Sequence, residues 1–565
     1  MNVKSRLESL LEHQLAHLAA ILIVGLLVYS NTFHVPFQFD ESRYLLNNPF
    51  LKDLSLSPEF LSQDRYLYGE VVRRYVGYIL FAMNYQLHEY AVEGYHVVNL
   101  TIHLMSALLV YLLVLRTFQT PVLRVSLVAV RARSVALATA LLFVAHPLQT
   151  EAVTYIHQRQ ASLCAFFYLL SLFLYVQWRQ LTFDAQQHPA SSDRNGRGPV
   201  FARPLIWYLG ALIALILAMK TKENAFTAPV LIAVYELFFY NGALKRRLVF
   251  LVPLMATMLI IPATTLMLIK QNSTGLAQLA SYGKSVPAGD YLLTQFRVLM
   301  TYVRLLLLPI HQNFEYDYPI YRSLFDPEVL FSLLFHLCAL AAAGVLVYRS
   351  RRSDKGLRLI SFGIVWFYLS LSVESGLVPL ASVISEYRLY LPSVGFIIAI
   401  ITGAIMLLLK IDARWFVPGM VCILVVVLGY GYAAYERNTV WSGAESLWAD
   451  VVQKSPRLPG PHINLAIAYE QEGRCGDAVH EYELSLAANP RYCQARFNLI
   501  VCLYDCGGVG EAVAAYQDAM RRGLSDARER VNSLVALCHQ GRANEAFAAF
   551  RKESPWCADD PLAGT

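Results

Sequence analysis

Long apolar runs broken by short polar stretches dominate the first 435 residues. A helix needs about 20 mostly apolar residues to cross the hydrocarbon core of a bilayer. Candidate runs lie at approximately 15–31, 97–115, 134–146, 161–178, 204–219, 224–240, 248–270, 291–310, 327–348, 359–377, 389–409 and 415–434. The pattern predicts an all-α fold, a polytopic membrane helix bundle. Basic side chains test how many of the twelve runs cross, because cytoplasmic loops collect Lys and Arg. Lys4 and Arg6 precede the first run, and Arg116, Arg124, Arg131 and Arg133 mark one basic loop. Arg179, Arg194, Arg197 and Arg203 mark the next, and Lys245, Arg246 and Arg247 a third. Arg349, Arg351, Arg352, Lys355 and Arg358 mark a fourth, followed by Lys410 and Arg414. The third and fourth loops share a side only if an even number of spans separates them. The weakest run between them is 291–310, which carries Gln295, Arg297 and Arg304. Its two arginines are seven apart, on one helical face, and costly in lipid. Reading it as a re-entrant or interfacial helix leaves about 11 transmembrane helices, with the N-terminus inside and the C-terminal domain outside. The first run reads as an uncleaved anchor, since Ser30-Asn31-Thr32-Phe33-His34 follows it without a small-residue cleavage site.

Beyond residue 435 the pattern acquires a fixed period. Asn464, Asn498 and Asn532 are spaced by 34, as are Gly473, Gly507 and Gly541. Ala478, Ala512 and Ala546 keep the same spacing, and so do Tyr482, Tyr516 and Phe550. This is the tetratricopeptide period: a small residue where two helices touch, and an aromatic where the second helix packs on the next repeat. Counting back gives Ala444, Trp448 and Pro456, half a repeat. The expected domains are 1–435 in the membrane and 436–565 as a short α-solenoid. The latter divides into a half repeat at about 440–457 and repeats at about 459–492, 493–526 and 527–554. Such arrays hold a peptide or protein partner in a concave face.

Composition sharpens the division. The 565-residue chain is 56% hydrophobic and 16% charged, with a mean hydropathy of +0.42. Soluble domains carry about 25% charged residues, which argues against a soluble enzyme. Residues 1–435 hold 34 basic and 24 acidic residues, and residues 436–565 hold 13 and 17. The net charge of +6 therefore resides in membrane-flanking loops and does not indicate nucleic acid. Six of the nine cysteines fall in the repeat region: Cys475, Cys493, Cys502, Cys506, Cys538 and Cys557. They read either as disulfides of an oxidising compartment or as small buried hydrophobes. None has the spacing of a zinc site with nearby histidines.

With this topology, the polar clusters all fall on the outer face. Phe37-Gln38-Phe39-Asp40-Glu41 opens the first outer loop, roughly 32–96. His146, Gln149, Thr150, Glu151 and Arg159 belong to the second, and Lys220-Thr221-Lys222-Glu223 to the third. Arg297, Arg304, His311, Glu315 and Asp317 belong to the fourth, and Ser385-Glu386-Tyr387-Arg388 to the fifth. His96 and His103 read as packing residues on the second span. Group transfer on that face has no nucleotide pool and needs a membrane-borne activated donor, for which a polyprenyl-phosphate sugar fits. A carboxylate can take the proton of an acceptor hydroxyl, and Asp40 is the natural base. Arg and Lys can hold the donor phosphate, with Arg388, Lys222, Arg304 and Arg297 the candidates. A divalent metal at Asp40 and Glu41 stays open, with no further carboxylate spaced to demand it.

Taken in order, several short motifs resemble the transmembrane and tetratricopeptide-repeat O-mannosyltransferases. They are Phe39-Asp40-Glu41 with Asn47-Asn48, Arg73-Arg74 before Asn84-Tyr85, and Gly94-Tyr95-His96-Val97-Val98-Asn99-Leu100. His146-Pro147, Thr150-Glu151-Ala152-Val153, Lys222-Glu223 and Glu386-Tyr387-Arg388-Leu389-Tyr390-Leu391-Pro392 follow. The resemblance runs from about 30 to 553. It implies a GT-C glycosyltransferase fold, a lipid-phosphate sugar donor, inversion at the anomeric carbon and an outward-facing site. It maps the family's acidic pair onto Asp40 and Glu41, and implies a protein (Ser/Thr) or glycan hydroxyl as acceptor. Glu41 stands where many repeat-bearing members have Asp, and the repeat array is shorter than in animal members. The terminal Pro561-Leu562-Ala563-Gly564-Thr565 lacks an endoplasmic-reticulum retention signal, so the expected setting is a bacterial inner membrane with an undecaprenyl carrier. The alternative functions are a multi-pass transporter or flippase, which would carry charges at mid-membrane and repeats among its spans, and a non-catalytic repeat scaffold.

Overall fold

The computed structural model describes residues 13–187, 202–242, 244–271, 286–376 and 378–521. These are helical, with no strand among the described residues. Two compact units divide the chain: Met1–Gln312 with Pro319–Thr439, and Asn313–Tyr318 with Val440–Thr565. The expected boundary at 435 falls inside a helix that runs unbroken from Phe416 to Thr439.

Helices of nine residues or more are numbered in chain order. In the first unit they are α1 (Gln14–Val28), α2 (Arg65–Arg73), α3 (Tyr75–His88), α4 (Val92–Phe118), α5 (Ala132–Ala145), α6 (Arg159–Gln187), α7 (Ala202–Met219) and α8 (Ala228–Phe239). There follow α9 (Leu244–Ala256), α10 (Ile260–Gln271), α11 (Ala288–Leu307), α12 (Pro327–Arg349), α13 (Leu357–Leu371), α14 (Pro392–Ile411) and α15 (Phe416–Thr439). Among the described residues seven stretches are long and apolar enough to cross a membrane: Val92–Phe118, Leu127–Ala145, Ile156–Phe183, Arg247–Lys270, Pro327–Arg349, Pro392–Ile411 and Phe416–Ser442. Three shorter apolar helices, Gln14–Val28, Pro204–Met219 and Leu357–Leu371, and the 12-residue α8 coincide with the other four expected spans. A 12-residue helix is only about 18 Å long. The chain is a multi-pass helical membrane protein.

The weak run at 291–310 forms most of α11, which buries Tyr291, Thr294, Gln295, Val298 and Tyr302 on one face. Tyr291 donates to Glu374 O (2.7 Å), Gln295 to Val383 O (2.9 Å) and Tyr302 to Ser385 O (3.0 Å). Donors spread over about 16 Å of helix thus all meet the loop after α13. That arrangement lays α11 along the loop.

Close helix packing in a membrane needs small residues, because lipid offers no hydrophobic drive for helices to associate. Helices α13 and α14 meet this need at Gly363, Gly395 and Ala399. A methyl on Gly395 would sit 2.7 Å from Gly363 O and 2.6 Å from Trp366 Cβ. Several buried polar groups in the bundle find partners across helices. His103 donates from Nε2 to Val144 O (3.2 Å) and accepts from the Tyr390 hydroxyl at Nδ1 (2.8 Å). His96 donates to Val35 O (2.8 Å). At the arginine-rich end Glu236 takes Arg179 Nε (3.1 Å), Arg247 Nε (3.0 Å) and the Tyr175 hydroxyl (3.1 Å).

In the second unit α16 (Ala444–Lys454) precedes two helix pairs: α17 (Pro459–Gln471) with α18 (Cys475–Ala488), and α19 (Cys493–Asp505) with α20 (Val509–Arg521). Both helices of the second pair begin 34 residues after their counterparts. Ala478, Ala512 and Tyr482 are fully buried. Gly473 (φ +75°) and Gly507 (φ +86°) turn the chain within each pair in the left-handed region that glycine enters without penalty. Cys475 and Cys506 form a disulfide, while Cys502 is a buried free thiol. Asn532, Gly541, Ala546, Phe550, Cys538, Cys557 and the repeat expected at 527–554 lie outside the described residues.

Gly395→Leu should force α13 and α14 apart. The expected result is aggregation on size-exclusion chromatography in detergent, whereas Ala399→Gly elutes as the parent does.

Candidate functional site

Five loops of the membrane unit come together at one end of the bundle, and their contacts run through polar side chains. The first loop carries Asp40 and Glu41. Phe39 precedes them at φ +43°, a left-handed conformation that costs a non-glycine residue about 1–2 kcal/mol. The turn is held by Glu41, which is 1% exposed. Its carboxylate accepts from the backbone N–H of Gln38 (2.5 Å) and of His157 (2.7 Å). The second of these bonds fastens the first loop to the second. Burial pushes the Glu41 carboxyl up to about 8 against the opposing pull of those N–H groups. Asp40 stays partly exposed. Burial raises it to about 6, Arg43 opposes the rise and Glu70 adds to it. The Tyr155 hydroxyl is raised well above its ordinary value by burial and by the neighbouring Asp40 and Glu41 charges.

The amphipathic helix α2 supplies the next layer. Arg74 reaches Glu70 Oε1 (2.5 Å) and Glu223 Oε2 (2.9 Å), so that the first and third loops share one guanidinium. Arg73 pairs with Glu70 (2.8 Å). Although burial would raise it, Glu223 is held down at about 2 by Arg74 and Arg73. Val76 N–H donates to Lys220 O (3.0 Å), which adds a backbone tie between the same loops.

Lys222 is buried and lies 3.5 Å from Glu374 and 4.0 Å from the centre of the Tyr387 ring. The Tyr387 N–H donates to Glu151 (2.8 Å), joining the fifth loop to the second. Burial and the facing Glu386 push Glu151 up to about 8. Glu386 accepts from Gln312 (2.6 Å), which also donates to Pro147 O (3.2 Å). His146 donates to Leu306 O (3.1 Å) and accepts from Leu148 N–H (3.2 Å), and burial lowers it to about 4. It serves the backbone as a neutral ring.

The structure therefore gathers Asp40, Glu41, Glu151, Lys222, Glu223 and Glu386 with the neutral His146 into one polar layer. Other residues expected in the site are placed differently. Arg388 is buried and donates to Val383 O (3.2 Å) and Ser382 O (2.7 Å), so it braces its own loop. Arg159 is fully buried and spends its guanidinium on Asn99 (2.5 Å), Asn84 (2.7 Å) and Tyr95 O (2.9 Å). Arg297 pairs with Glu328 (3.4 Å), and Arg304 donates to Ile310 O (2.8 Å); both turn from the buried face of α11. Glu315 and Asp317 belong to the second unit. There Ser455 Oγ donates to Glu315 O (2.9 Å), and Arg457 pairs with Asp317 (2.7 Å). Among the described residues no group of three or more His, Cys, Asp or Glu gathers for a metal. Glu70, Glu374 and Tyr155 join the layer without having been expected. The i, i+3 and i+4 spacing of Glu70, Arg73 and Arg74 on one helix was the available signal for the first.

No known family profile matches the chain. It is similar to protein O-mannosyl-transferases over about four-fifths of its length. Human protein O-mannosyl-transferase TMTC3 is 24% identical over 495 residues, covering 80% of this chain and 49% of the relative. A protein O-mannosyl-transferase of Caenorhabditis elegans is 21% identical over 496 residues, covering 85% and 63%. Mouse protein O-mannosyl-transferase TMTC4 is 24% identical over 516 residues, covering 82% and 66%. The chain thus spans about half to two-thirds of the length of these relatives. The oligosaccharyltransferase of Archaeoglobus fulgidus in its apo form aligns with a TM-score of 0.39 at 13% identity, over 77% of this chain and 57% of that one.

Arg74→Met would remove the nearer of the two cations that Glu223 faces and leave Glu70 and Glu223 to Arg73 alone, a loss of up to about 3 kcal/mol for a largely enclosed group. The expected drop in melting temperature, followed by tryptophan fluorescence, is partly reversed in the Arg74→Met/Glu223→Gln double variant.

Proposed function

We propose that the protein is a membrane glycosyltransferase of GT-C type. It moves a sugar from a polyprenyl-phosphate donor to a hydroxyl of a protein (Ser/Thr) or glycan acceptor. The observation that carries this reading is the contrast within the acidic pair. Glu41 is locked by two backbone N–H groups, while Asp40 is only partly buried and its carboxyl is raised to about 6 by that burial. A base is most effective when its pKa lies near working pH. The similarity to protein O-mannosyl-transferases supports the reaction class.

In this mechanism the acceptor hydroxyl gives its proton to Asp40 as its oxygen bonds to the anomeric carbon. The bond from that carbon to the carrier phosphate breaks, and the phosphate leaves with the electron pair. Attack opposite the leaving group inverts the anomeric centre. Cations in the layer offset the charge that develops on the departing phosphate.

The site faces away from the cytoplasm in this reading, and the arginine-rich loops face it. The Cys475–Cys506 disulfide fits an oxidising compartment for the second unit. A bacterial inner membrane with an undecaprenyl carrier is the proposed setting, and the 34-residue helix pairs are proposed as tetratricopeptide repeats that present the acceptor or a partner protein.

Membranes containing the protein, supplied with radiolabelled polyprenyl-phosphate sugars, should pass label to protein or glycan. Asp40→Asn should abolish transfer while leaving the chromatographic profile intact; retained transfer removes Asp40 as base. The base must be ionised, so kcat/KM should fall about tenfold per pH unit below pH 6. An ordinary aspartate would hold its rate to about pH 4. A flat profile between pH 5 and 7 would contradict the assignment.

A further inference from the structure

Most of the polar layer's cations are already engaged. Lys222 has Glu374, Arg74 has Glu70 and Glu223, and Arg73 has Glu70. Arg43 has Asp64, and Arg388, fully enclosed, gives its two terminal nitrogens to backbone carbonyls and keeps only Nε without a partner. Lys220 differs. It follows directly on the C-terminus of α7, and its ammonium donates to Thr264 Oγ1 on α10 at 2.7 Å. Thr264 passes its own hydrogen to Ile260 O (2.8 Å). An ammonium has three hydrogens to donate, and no carboxylate pairs with Lys220 among the described residues. The side chain is half-buried, which lowers its pKa.

The surroundings give this cation two distinct flanks. Helix α10 shows its apolar face outward, with Leu266 and Met267 at least half exposed, as a lipid-facing helix does. Its Leu268 packs into the cluster of Phe50, Tyr78 and Phe81 beneath the first loop. On the other flank the Lys220 carbonyl holds Val76 N–H at the start of α3. Two residues earlier Arg74 binds Glu70, whose charge is felt at Asp40. An incompletely paired ammonium therefore stands between a hydrocarbon-facing helix and the strut that leads to the proposed base. A phosphate with a long apolar chain matches both flanks, its chain along α10 and its head group toward Asp40.

We infer that Lys220, rather than Lys222 or Arg388, binds the phosphate of the lipid-linked donor. The inference rests on the transferase reading above. Lys222 and Arg388 then serve as positioning residues that hold the third and fifth loops. Bulk phospholipid offers the same phosphate chemistry, so the test must separate the two sources.

The full chain in phosphatidylcholine nanodiscs is titrated with radiolabelled undecaprenyl phosphate. Lys220→Gln should weaken binding about tenfold, the loss of one charge-assisted hydrogen bond. Lys220→Arg should retain binding, and Thr264→Val, which removes the protein partner but not the charge, should retain it as well. Equal binding by the parent and a folded Lys220→Gln protein would overturn the inference and leave the transferase reading standing. Phosphatidic acid competing as well as unlabelled undecaprenyl phosphate would overturn the carrier assignment. A parent protein that does not bind undecaprenyl phosphate would overturn both the inference and the proposed donor class.

Discussion

Arg74 sits between two carboxylates from distant parts of the chain, Glu70 on α2 and Glu223 in the third loop. A charge taken from water is tolerated only when it is paired and hydrogen-bonded, so these three residues impose one arrangement on the loops that bear them. The junction of α2 and α3 in the first loop must lie against the end of α7, because only there can Arg74 reach Glu223 while Val76 N–H meets Lys220 O. Glu41 extends the constraint to the second loop through His157 N–H. Glu151 extends it to the fifth through Tyr387 N–H. The polar layer is therefore fastened by acids accepting from a neighbouring loop, with the apolar bundle beneath it as a platform.

The same economy governs the bundle. Charged and imidazole groups inside it meet partners, as with His103 between Tyr390 and Val144 or Glu236 between two arginines. Elsewhere contact rests on shape, which Gly363, Gly395 and Ala399 permit where α13 crosses α14. Helix α11 resolves the conflict between its length and its arginines by turning Tyr291, Gln295 and Tyr302 to the fifth loop and Arg297 and Arg304 away from its buried face. Its sequence is amphipathic because its surroundings are.

Much of this architecture is legible in the chain. Apolar runs, basic loops and the 34-residue period depend on local composition and on spacing, and these survive without knowledge of contacts. The eleven expected spans correspond to helices, and the residues singled out at positions 40, 41, 151, 222, 223 and 386 meet at one end. Sequence spacing could not say which cations were available. Arg388, Lys222 and Arg159 look alike as isolated basic residues near span ends. Their partners, two carbonyls of the same loop, Glu374, and Asn84 with Asn99, lie up to 152 positions away in the sequence.

Glu315 and Asp317 make the same point from the other side. Sequence order puts them just after α11, beside other polar residues, whereas folding assigns their segment to the second unit, where Ser455 and Arg457 hold it. Periodicity and charge are properties of neighbouring residues, so helices, repeats and loop polarity could be read before any fold was known. The availability of a charged side chain depends on what lies within about 4 Å of it, and chain closure through distant contacts sets that. Asp40 half-buried, Glu41 locked, Lys222 paired and Lys220 half-satisfied are consequences of that closure.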